Sequence, residues 1–312
     1  MRELKNISIA GAGTMGASMA ETFAKFGYTV TLYDIFPAAL DKAKRLISIN
    51  HESEVEHGII TADEAKAVLG RIHYTSDIQD FKNTDFMVEA ILEKIDIKHK
   101  FWAEASEIVP ADAVLASNTS GLSITKIAEV VKNPERFAGM HWINPPHIIP
   151  LIEVISGEKT TKENAEAVYN MALTLGKKPV YVNDAPGFVL NRIQFAIMRE
   201  CLNIVERGIT TPEGVDDVMK YALGFRYACL GPFQVADLGG LDIFYNISSY
   251  LFADLSNADA PFGLMKEAFD NNKLGVKNGT GFYDYSNGRD EEVIKYRDQM
   301  FTKLAKSLFE NE

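Results

Sequence analysis

Residues 8–35 read SIAGAGTMGASMAETFAKFGYTVTLYDI. Gly11, Gly13 and Gly16 form a GxGxxG array between an apolar run, Asn6 to Ala10, and a segment with helical spacing. A second apolar run, Tyr28 to Tyr33, follows, and Asp34 closes it. In a βαβ unit of this kind the first glycine lets the strand turn sharply and the second lets backbone approach a pyrophosphate. The third lets the helix pack closely on the strand. The helix mouth, with Thr14 and Met15 beside the glycines, then offers unpaired N–H groups and a positive dipole end to phosphates. Asp34 would accept hydrogen bonds from a ribose 2′-OH and repel a 2′-phosphate, and no arginine follows it in Ile35-Phe36-Pro37. That order of elements predicts NAD as cofactor rather than NADP.

Outward from this unit, strand-like runs alternate with helix-period segments to about residue 183, the rhythm of a parallel sheet. The predicted strands are Asn6 to Ala10, Thr29 to Tyr33, Phe86 to Ala90, Val114 to Ser117, Ala138 to Trp142, Leu151 to Ile155 and Val180 to Val182. Pro37 to Gly70 has helical spacing broken at His57-Gly58 and reads as a helical hairpin inserted into the sheet domain. The turn-rich Asn183-Asp184-Ala185-Pro186-Gly187 marks a boundary. Beyond it lie helical patterns over Phe188 to Arg207, Pro212 to Leu223, Leu241 to Phe252 and Glu291 to Phe309. The expectation is an α/β protein: a Rossmann-like, mostly parallel sheet domain over 1–184, then an all-α substrate and dimerisation domain over 185–312, with a small-ligand cleft between them.

Composition narrows the function classes. The 312 residues are 46% hydrophobic and 24% charged, enough for two ordinary globular domains. A net charge of −11 with dispersed basic residues disfavours nucleic acid or an anionic membrane as partner. No run of apolar residues is long enough to span a bilayer, and the start resembles no secretory signal, so a cytoplasmic protein is expected. Cys201 and Cys229 stand far apart without metal-ligand spacing and read as buried reduced thiols.

Oxidising an alcohol with NAD needs a base for the hydroxyl proton, a task suited to histidine. His51, His57 and His99 sit among charged residues on helices expected to be exposed, His73 leads a short strand or loop, and His147 lies in a proline-rich loop. His141 ends the apolar strand Ala138 to Trp142, and Glu153 interrupts the apolar strand Leu151 to Ile155. A carboxylate on a buried strand needs a partner. Adjacent strand ends would let Glu153 bind one ring nitrogen of His141, as a catalytic pair or as a structural one. Ser117, in Ser117-Asn118-Thr119-Ser120-Gly121, emerges at a strand's C-terminal end, where α/β folds place ligands. Ser120 or Ser123 suits the cap of the next helix better. Asn191 is an amide in an apolar helical turn, facing either backbone or the cleft.

Taken together, GAGTMG, VEAILE, ASNTS, GMHWINP, LIEVI, PGFVLNR and LGVKNGTGFYDY resemble the 3-hydroxyacyl-CoA dehydrogenase family along nearly the whole chain. The resemblance implies that His141 is the catalytic base, Glu153 its orienting carboxylate, and Ser117 and Asn191 the groups that hold the substrate's 3-oxygen. It places Asp34, Glu93, Lys98, Asn144 and Lys277 around NAD, and it implies a homodimer through the helical domain. Three departures bear on the substrate. The family's lysine-rich hairpin turn is replaced by Glu54-Val55-Glu56-His57-Gly58-Ile59-Ile60, which would repel a phosphate-rich carrier. The loop after the base reads NPPHIIPLIEV, and Gly224-Phe225-Arg226-Tyr227-Ala228-Cys229-Leu230-Gly231-Pro232 is two residues longer than usual. These last two look like the λ-crystallin and L-gulonate 3-dehydrogenase branch. Arg226 could grip a free substrate carboxylate or serve as a surface or interface arginine. The readings left open are a dehydrogenase of a free β-hydroxy acid, gulonate-like or 3-hydroxybutyrate-like, one of a short 3-hydroxyacyl-CoA, and a non-catalytic NAD-binding or crystallin-like protein.

Overall fold

The computed structural model describes residues 4–56 and 60–309. The chain divides into two compact units, Met1–Asn191 and Arg192–Glu312. In the first, eight strands form one sheet: β1 Asn6–Ala10, β2 Thr29–Tyr33, β3 Ile72–Thr75, β4 Phe86–Glu89, β5 Val114–Ser117, β6 Phe137–Trp142, β7 Leu151–Ser156 and β8 Lys178–Asn183. Their order is β3-β2-β1-β4-β5-β6-β7-β8, and every pairing is parallel except β6 with β7. Six helices belong with this sheet among the described residues: α1 Thr14–Lys25, α2 Pro37–Glu56, α3 Ala62–Gly70, α4 Ile95–Ile108, α5 Ile124–Ile127 and α6 Lys162–Thr174.

Period-two alternation sends strand side chains to two cores. Ile7, Ile9, Val30, Leu32, Val88, Ala116, Met140 and Val154 pack with Phe23 of α1, Ile47 of α2 and Met171 of α6. Met87, Leu115, Phe137 and Ile155 pack with Trp102 and Ala105 of α4 and with Ile124 and Ile127 of α5. Trp102 stands edge-on to Phe137 at 4.9 Å, a favourable aromatic geometry at the centre of this second core. The register sets Glu89 opposite Ser117, Ser117 opposite Gly139, and His141 opposite Glu153. By alternation all of these side chains belong to the second core's face, at or near the strand ends.

Strand β3 was not among the predicted strands: its four residues include the exposed His73, and only Ile72 and Thr75 are buried. The hairpin forms as α2 and α3, while the predicted break at His57-Gly58 lies outside the described residues. Thr61 starts α3 with a reciprocal capping box to Glu64. Ser123, not Ser120, caps α5, and Asp184 reinforces it through Ser123 Oγ and the Ile124 and Thr125 amides.

The second unit is helical: α7 Leu190–Glu206, α8 Pro212–Val218, α9 Gly224–Tyr227, α10 Pro232–Gly239, α11 Leu241–Leu251, α12 Gly263–Asp270 and α13 Arg289–Phe309. The predicted helix Pro212 to Leu223 is instead interrupted by a π-helical turn, Met219–Leu223, between α8 and α9. A Cβ at Gly224 would lie 2.8 Å from the Met219 carbonyl oxygen, so the widened turn uses the missing side chain. Helices α10 and α12, each only eight residues long, were not among the predicted helices. The first compact unit runs on past the last strand to Asn191, and the amides of Val189 and Leu190 bind Glu153 there. Cys201 is half-buried and Cys229 exposed, which corrects the expectation of two buried thiols.

A Cβ at Gly16 would approach the Gly11 carbonyl oxygen to 1.7 Å, whereas one at Gly70 meets nothing within 4 Å. Gly16→Ala is expected to lose about 2 kcal/mol or more in urea unfolding, because the strand–helix turn must open to admit the methyl group. Gly70→Ala is expected to leave stability unchanged or raised.

Candidate active site

The helix mouth predicted to hold NAD is built as the glycine spacing requires. Gly11 has φ +103°, and a side chain there would strike the Ala90 carbonyl at 2.5 Å. Gly13 is exposed, and a Cβ there would project into open space, on the side where backbone can approach a phosphate. Gly13 caps α1 without a side-chain bond and the first turn carries no acid, so its orphan N–H groups stay available to an anion. Thr14 is exposed and Met15 half-buried beside them. Asp34 is held by two amides, Ala12 N–H on Oδ2 at 2.8 Å and Phe36 N–H on Oδ1 at 2.9 Å. Each oxygen keeps a lone pair for a ribose hydroxyl, so these residues fit the dinucleotide.

Past β4, Glu93 accepts from Thr119 Oγ1 at 2.5 Å and from the Ser120 amide at 2.8 Å, and it pairs with Lys98 at 3.2 Å. Burial would raise the Glu93 carboxyl, but the Thr119 hydroxyl, the Lys98 charge and the Ser120 amide hold it below its ordinary value. Lys98 is wholly buried, and its ammonium also binds Glu89 at 2.5 Å. Sequence reasoning gave Glu89 no role. It interrupts an apolar strand as Glu153 does, so the same signal was present. Ser117 is buried and donates to Glu89 Oε2 at 2.7 Å, and Asn118 Oδ1 accepts from the Trp142 amide at 2.8 Å.

On the neighbouring strands, His141 Nδ1 lies 2.8 Å from Glu153 Oε2, both side chains buried. The other oxygen, Oε1, accepts the Val189 and Leu190 amides at 3.0 and 2.9 Å, at the start of α7. Burial would raise the Glu153 carboxyl, yet the hydrogen bonds from His141, Leu190 and Val189 and the His141 charge hold it below 4.5. An ionised Glu153 requires the proton on Nδ1, which leaves a lone pair on Nε2 that can accept a proton. The ring packs on Phe188, centroids 5.8 Å apart. Asn191 Nδ2 donates to the Ser120 carbonyl at 2.6 Å and so ties the first turn of α7 to the segment after Ser117.

The loop after β6 carries Asn144, exposed and joined to Pro145 by a cis peptide. Lys177 anchors this loop, its buried ammonium donating to Pro146 O at 2.6 Å and Ile149 O at 2.8 Å and lying over the Trp142 ring. Nothing in the sequence singled out Lys177. Arg226 on α9 and Lys277, in the turn between the bridged Gly275 and Thr280, are exposed residues of the second unit. His51, expected on an exposed helix, is 1% exposed. Its Nδ1 binds the Ile47 carbonyl, and Glu21 and Glu54 next to it are bridged by Lys25. Pairing among those charges lets a charged stretch face inward.

Family models of 3-hydroxyacyl-CoA dehydrogenase match residues 6–185 as its NAD binding domain and 187–285 as its C-terminal domain. The chain belongs to the 3-hydroxyacyl-CoA dehydrogenase family. This dehydrogenase is 39% identical over 285 residues to the 5-formyl-3-hydroxy-2-methylpyridine 4-carboxylate 5-dehydrogenase of Mesorhizobium japonicum, covering 91% of each chain. It is 38% identical to a probable 3-hydroxybutyryl-CoA dehydrogenase of Bacillus subtilis, over 91% of this chain and 98% of that one. A crystal structure of the 5-formyl-3-hydroxy-2-methylpyridine 4-carboxylic acid 5-dehydrogenase, an NAD+ dependent dismutase, superposes with a TM-score of 0.90 at 37% identity, covering 98% of this chain and 99% of that one. The (S)-3-hydroxybutyryl-CoA dehydrogenase of Ralstonia eutropha gives 0.76 at 35% identity, over 91% and 100%. The dehydrogenase is therefore an NAD-dependent oxidoreductase acting on a CH–OH group. None of its described helices is long and apolar enough to cross a membrane.

Two pH effects follow from the buried charges. The Glu153 value is lower in the folded chain than in the unfolded one, so its stabilisation is present above pH 4.5 and lost as pH falls through the folded value. Glu153→Gln is expected to flatten the acid limb of a stability-versus-pH curve measured by denaturant unfolding. Lys177 behaves oppositely: burial pulls its ammonium down from 10.5 to about 8. Between those values the unfolded chain holds the extra proton, so unfolding free energy rises with pH across the window. That rise is expected to disappear in Lys177→Met when unfolding is compared on either side of pH 8.

Proposed function

We propose that the enzyme interconverts a 3-hydroxyl and a 3-keto group on a small free carboxylic acid. The observation that carries the chemistry is the His141–Glu153 pair, which leaves one imidazole lone pair as a base beside a fixed anion. His141 Nε2 takes the hydroxyl proton, and Glu153 stabilises the imidazolium through Nδ1–H. Asn191, with one amide hydrogen on Ser120 and a second to give, fixes the oxygen together with Ser117. Gly11, Gly13, Thr14, Met15, Gly16 and Asp34 hold the adenosine diphosphate half of NAD, with Glu93, Lys98, Asn144 and Lys277 toward its other half. NAD held by these residues would supply the hydride acceptor for the substrate carbon.

The free-acid reading is supported by the relative whose substrate is a pyridine carboxylate, which matches this chain end to end. Arg226, carried on a helix that a π-turn sets off, offers a bidentate fork to such a carboxylate. The acidic hairpin adds less than its sequence suggests, because Glu54 is ion-paired with Lys25, leaving Glu52 and Glu56 exposed. A short 3-hydroxyacyl-CoA is the second reading, favoured by the 3-hydroxybutyryl-CoA dehydrogenases among the relatives. The enzyme is proposed to work in the cytoplasm as a homodimer through the helical unit. Helices α8 to α13 contain no buried residue, and Phe225, Phe233, Leu238, Tyr245 and Phe252 lie mostly exposed, an apolar surface too large for a stable monomer.

NADH formation is to be followed with gulonate, 3-hydroxybutyrate and 3-hydroxybutyryl-CoA in the wild type, His141→Ala and Arg226→Ala. His141→Ala is expected to lose about a hundred- to ten-thousandfold in kcat while still binding NAD. Arg226→Ala is expected to raise KM for the free acid about tenfold or more with little change in kcat. Turnover of the CoA ester alone, unchanged in Arg226→Ala, would move the enzyme to the second reading. Light scattering is expected to give twice the 34.6 kDa chain mass.

A further inference from the structure

Among the described residues other than glycine, four have a left-handed backbone: Asn133, Phe188, Asn272 and Asn287. Asparagine tolerates that region and a bulky side chain does not, so Phe188, at φ +50°, is the exception. It follows Gly187, at φ +74°, and leads into α7. Phe188 is 1% exposed within the second core, and its ring packs on the His141 imidazole with centroids 5.8 Å apart and planes inclined by 58°. The next two amides, of Val189 and Leu190, are those that bind Glu153 Oε1 at 3.0 and 2.9 Å. One turn therefore holds both members of the pair, Glu153 through backbone and His141 through a ring.

The bond from His141 Nδ1 to Glu153 Oε2 at 2.8 Å fixes one edge of the imidazole. The rest of the ring can still swing about that bond, and Nε2, on the far edge, moves furthest when it does. A flat side chain packed against the imidazole closes off the swing. We infer that Phe188 is a positioning residue whose ring fixes the direction of the His141 Nε2 lone pair, and that the left-handed turn is maintained because it brings the ring there. The inference rests on the proposed role of His141 as the base. A displacement of about 1 Å in such a site costs on the order of a hundredfold in rate. The Phe188 N–H on the Ala185 carbonyl at 3.0 Å and the two amides on Glu153 hold the strained residue in place.

The test separates the ring from the turn. Glycine adopts a positive φ without strain, so Phe188→Gly keeps the turn and removes the ring, while Phe188→Leu keeps apolar volume without a flat face. Phe81→Leu, in the same core but packed on Tyr33 and Phe101, is the control for stability alone. Turnover is followed with whichever of gulonate, 3-hydroxybutyrate and 3-hydroxybutyryl-CoA reacts fastest, and NAD affinity by fluorescence titration. The His141 Nδ1–H proton is followed by NMR of protein carrying isotope-labelled histidine, as the resonance missing from His141→Ala. Phe188→Gly is expected to lower kcat about ten- to a hundredfold, with KM and NAD affinity within about twofold of the wild type. In the same variant that proton is expected to exchange with water about tenfold faster or more, at a temperature where the fold is intact. Phe188→Leu is expected to fall between the two, and Phe81→Leu to lower the unfolding temperature while leaving kcat and the proton unchanged. Unchanged kcat or unchanged exchange in Phe188→Gly, a loss carried by KM or NAD affinity, or an equal loss of kcat in Phe81→Leu overturns the inference while His141→Ala still abolishes turnover. Turnover that survives His141→Ala removes the base itself, and the inference with it. Should Phe188→Gly fail to fold, Phe188→Leu decides by the same readouts.

Discussion

The site depends on one anion, Glu153, shared between a side chain and a helix. One carboxylate oxygen binds His141 and the other binds the first amides of α7. A buried carboxylate left unpaired on this sheet would be severely destabilising, and the helix start supplies hydrogen bonds and a positive dipole end that make it tolerable. The imidazole tautomer and the entry of the chain into α7 are consequently set by the same group. This also explains why the sheet unit extends to Asn191 instead of stopping at the last strand.

Glu89 repeats that arrangement three strands away. Both glutamates point to the face covered by α4 and α5, and each gathers donors from several elements. Lys98 joins Glu89 to Glu93, and Glu93 in turn holds Thr119 and the Ser120 amide. The segment that follows β5 is therefore held by a charged chain that runs from the buried Glu89 and Lys98 out to the exposed Glu93. Burial of such a network costs desolvation and adds less to stability than its bond count suggests. Its return is a set of side chains with little freedom to reorient, which is what a proton-transfer site requires.

Much of this was legible in the sequence, for identifiable reasons. β1, β2 and β5 fall where period-two apolar runs placed them, because strands buried on both faces leave an unbroken hydrophobic signal. The glycine array could be read because each position answers a separate steric demand: Gly11 needs a positive φ, Gly16 close packing, and Gly13 open space. His141 and Glu153 stood out as polar residues in apolar strands. Less legible were features whose cause is tertiary. β3 has too few buried residues to show a period, and His51 looks solvated until Lys25 is seen to bridge Glu21 and Glu54 beside it. Lys177 resembles any lysine in a turn, since the carbonyls that receive it belong to a distant loop. The π-turn before α9 has no sequence period at all and rests on the single missing side chain of Gly224.

That contrast divides the enzyme by function. Cofactor binding is written in local backbone geometry, in which a few glycines and one acid must recur in order, so one sequence suffices to read it. In the function proposed, substrate choice falls to Arg226 in the second unit, carried on a helix that follows the π-turn. Relatives that share the first part while acting on thioesters in some cases and a pyridine carboxylate in another are what this division predicts. In the proposed mechanism a base and an anion fixed on the sheet serve any alcohol brought to them, so selection among acids and esters has to come from groups that meet the rest of the substrate. In this chain the departures from the family pattern lie in the hairpin and the loop after His141 of the first unit and around Arg226 in the second, while the glycine array, His141 and Glu153 keep to it.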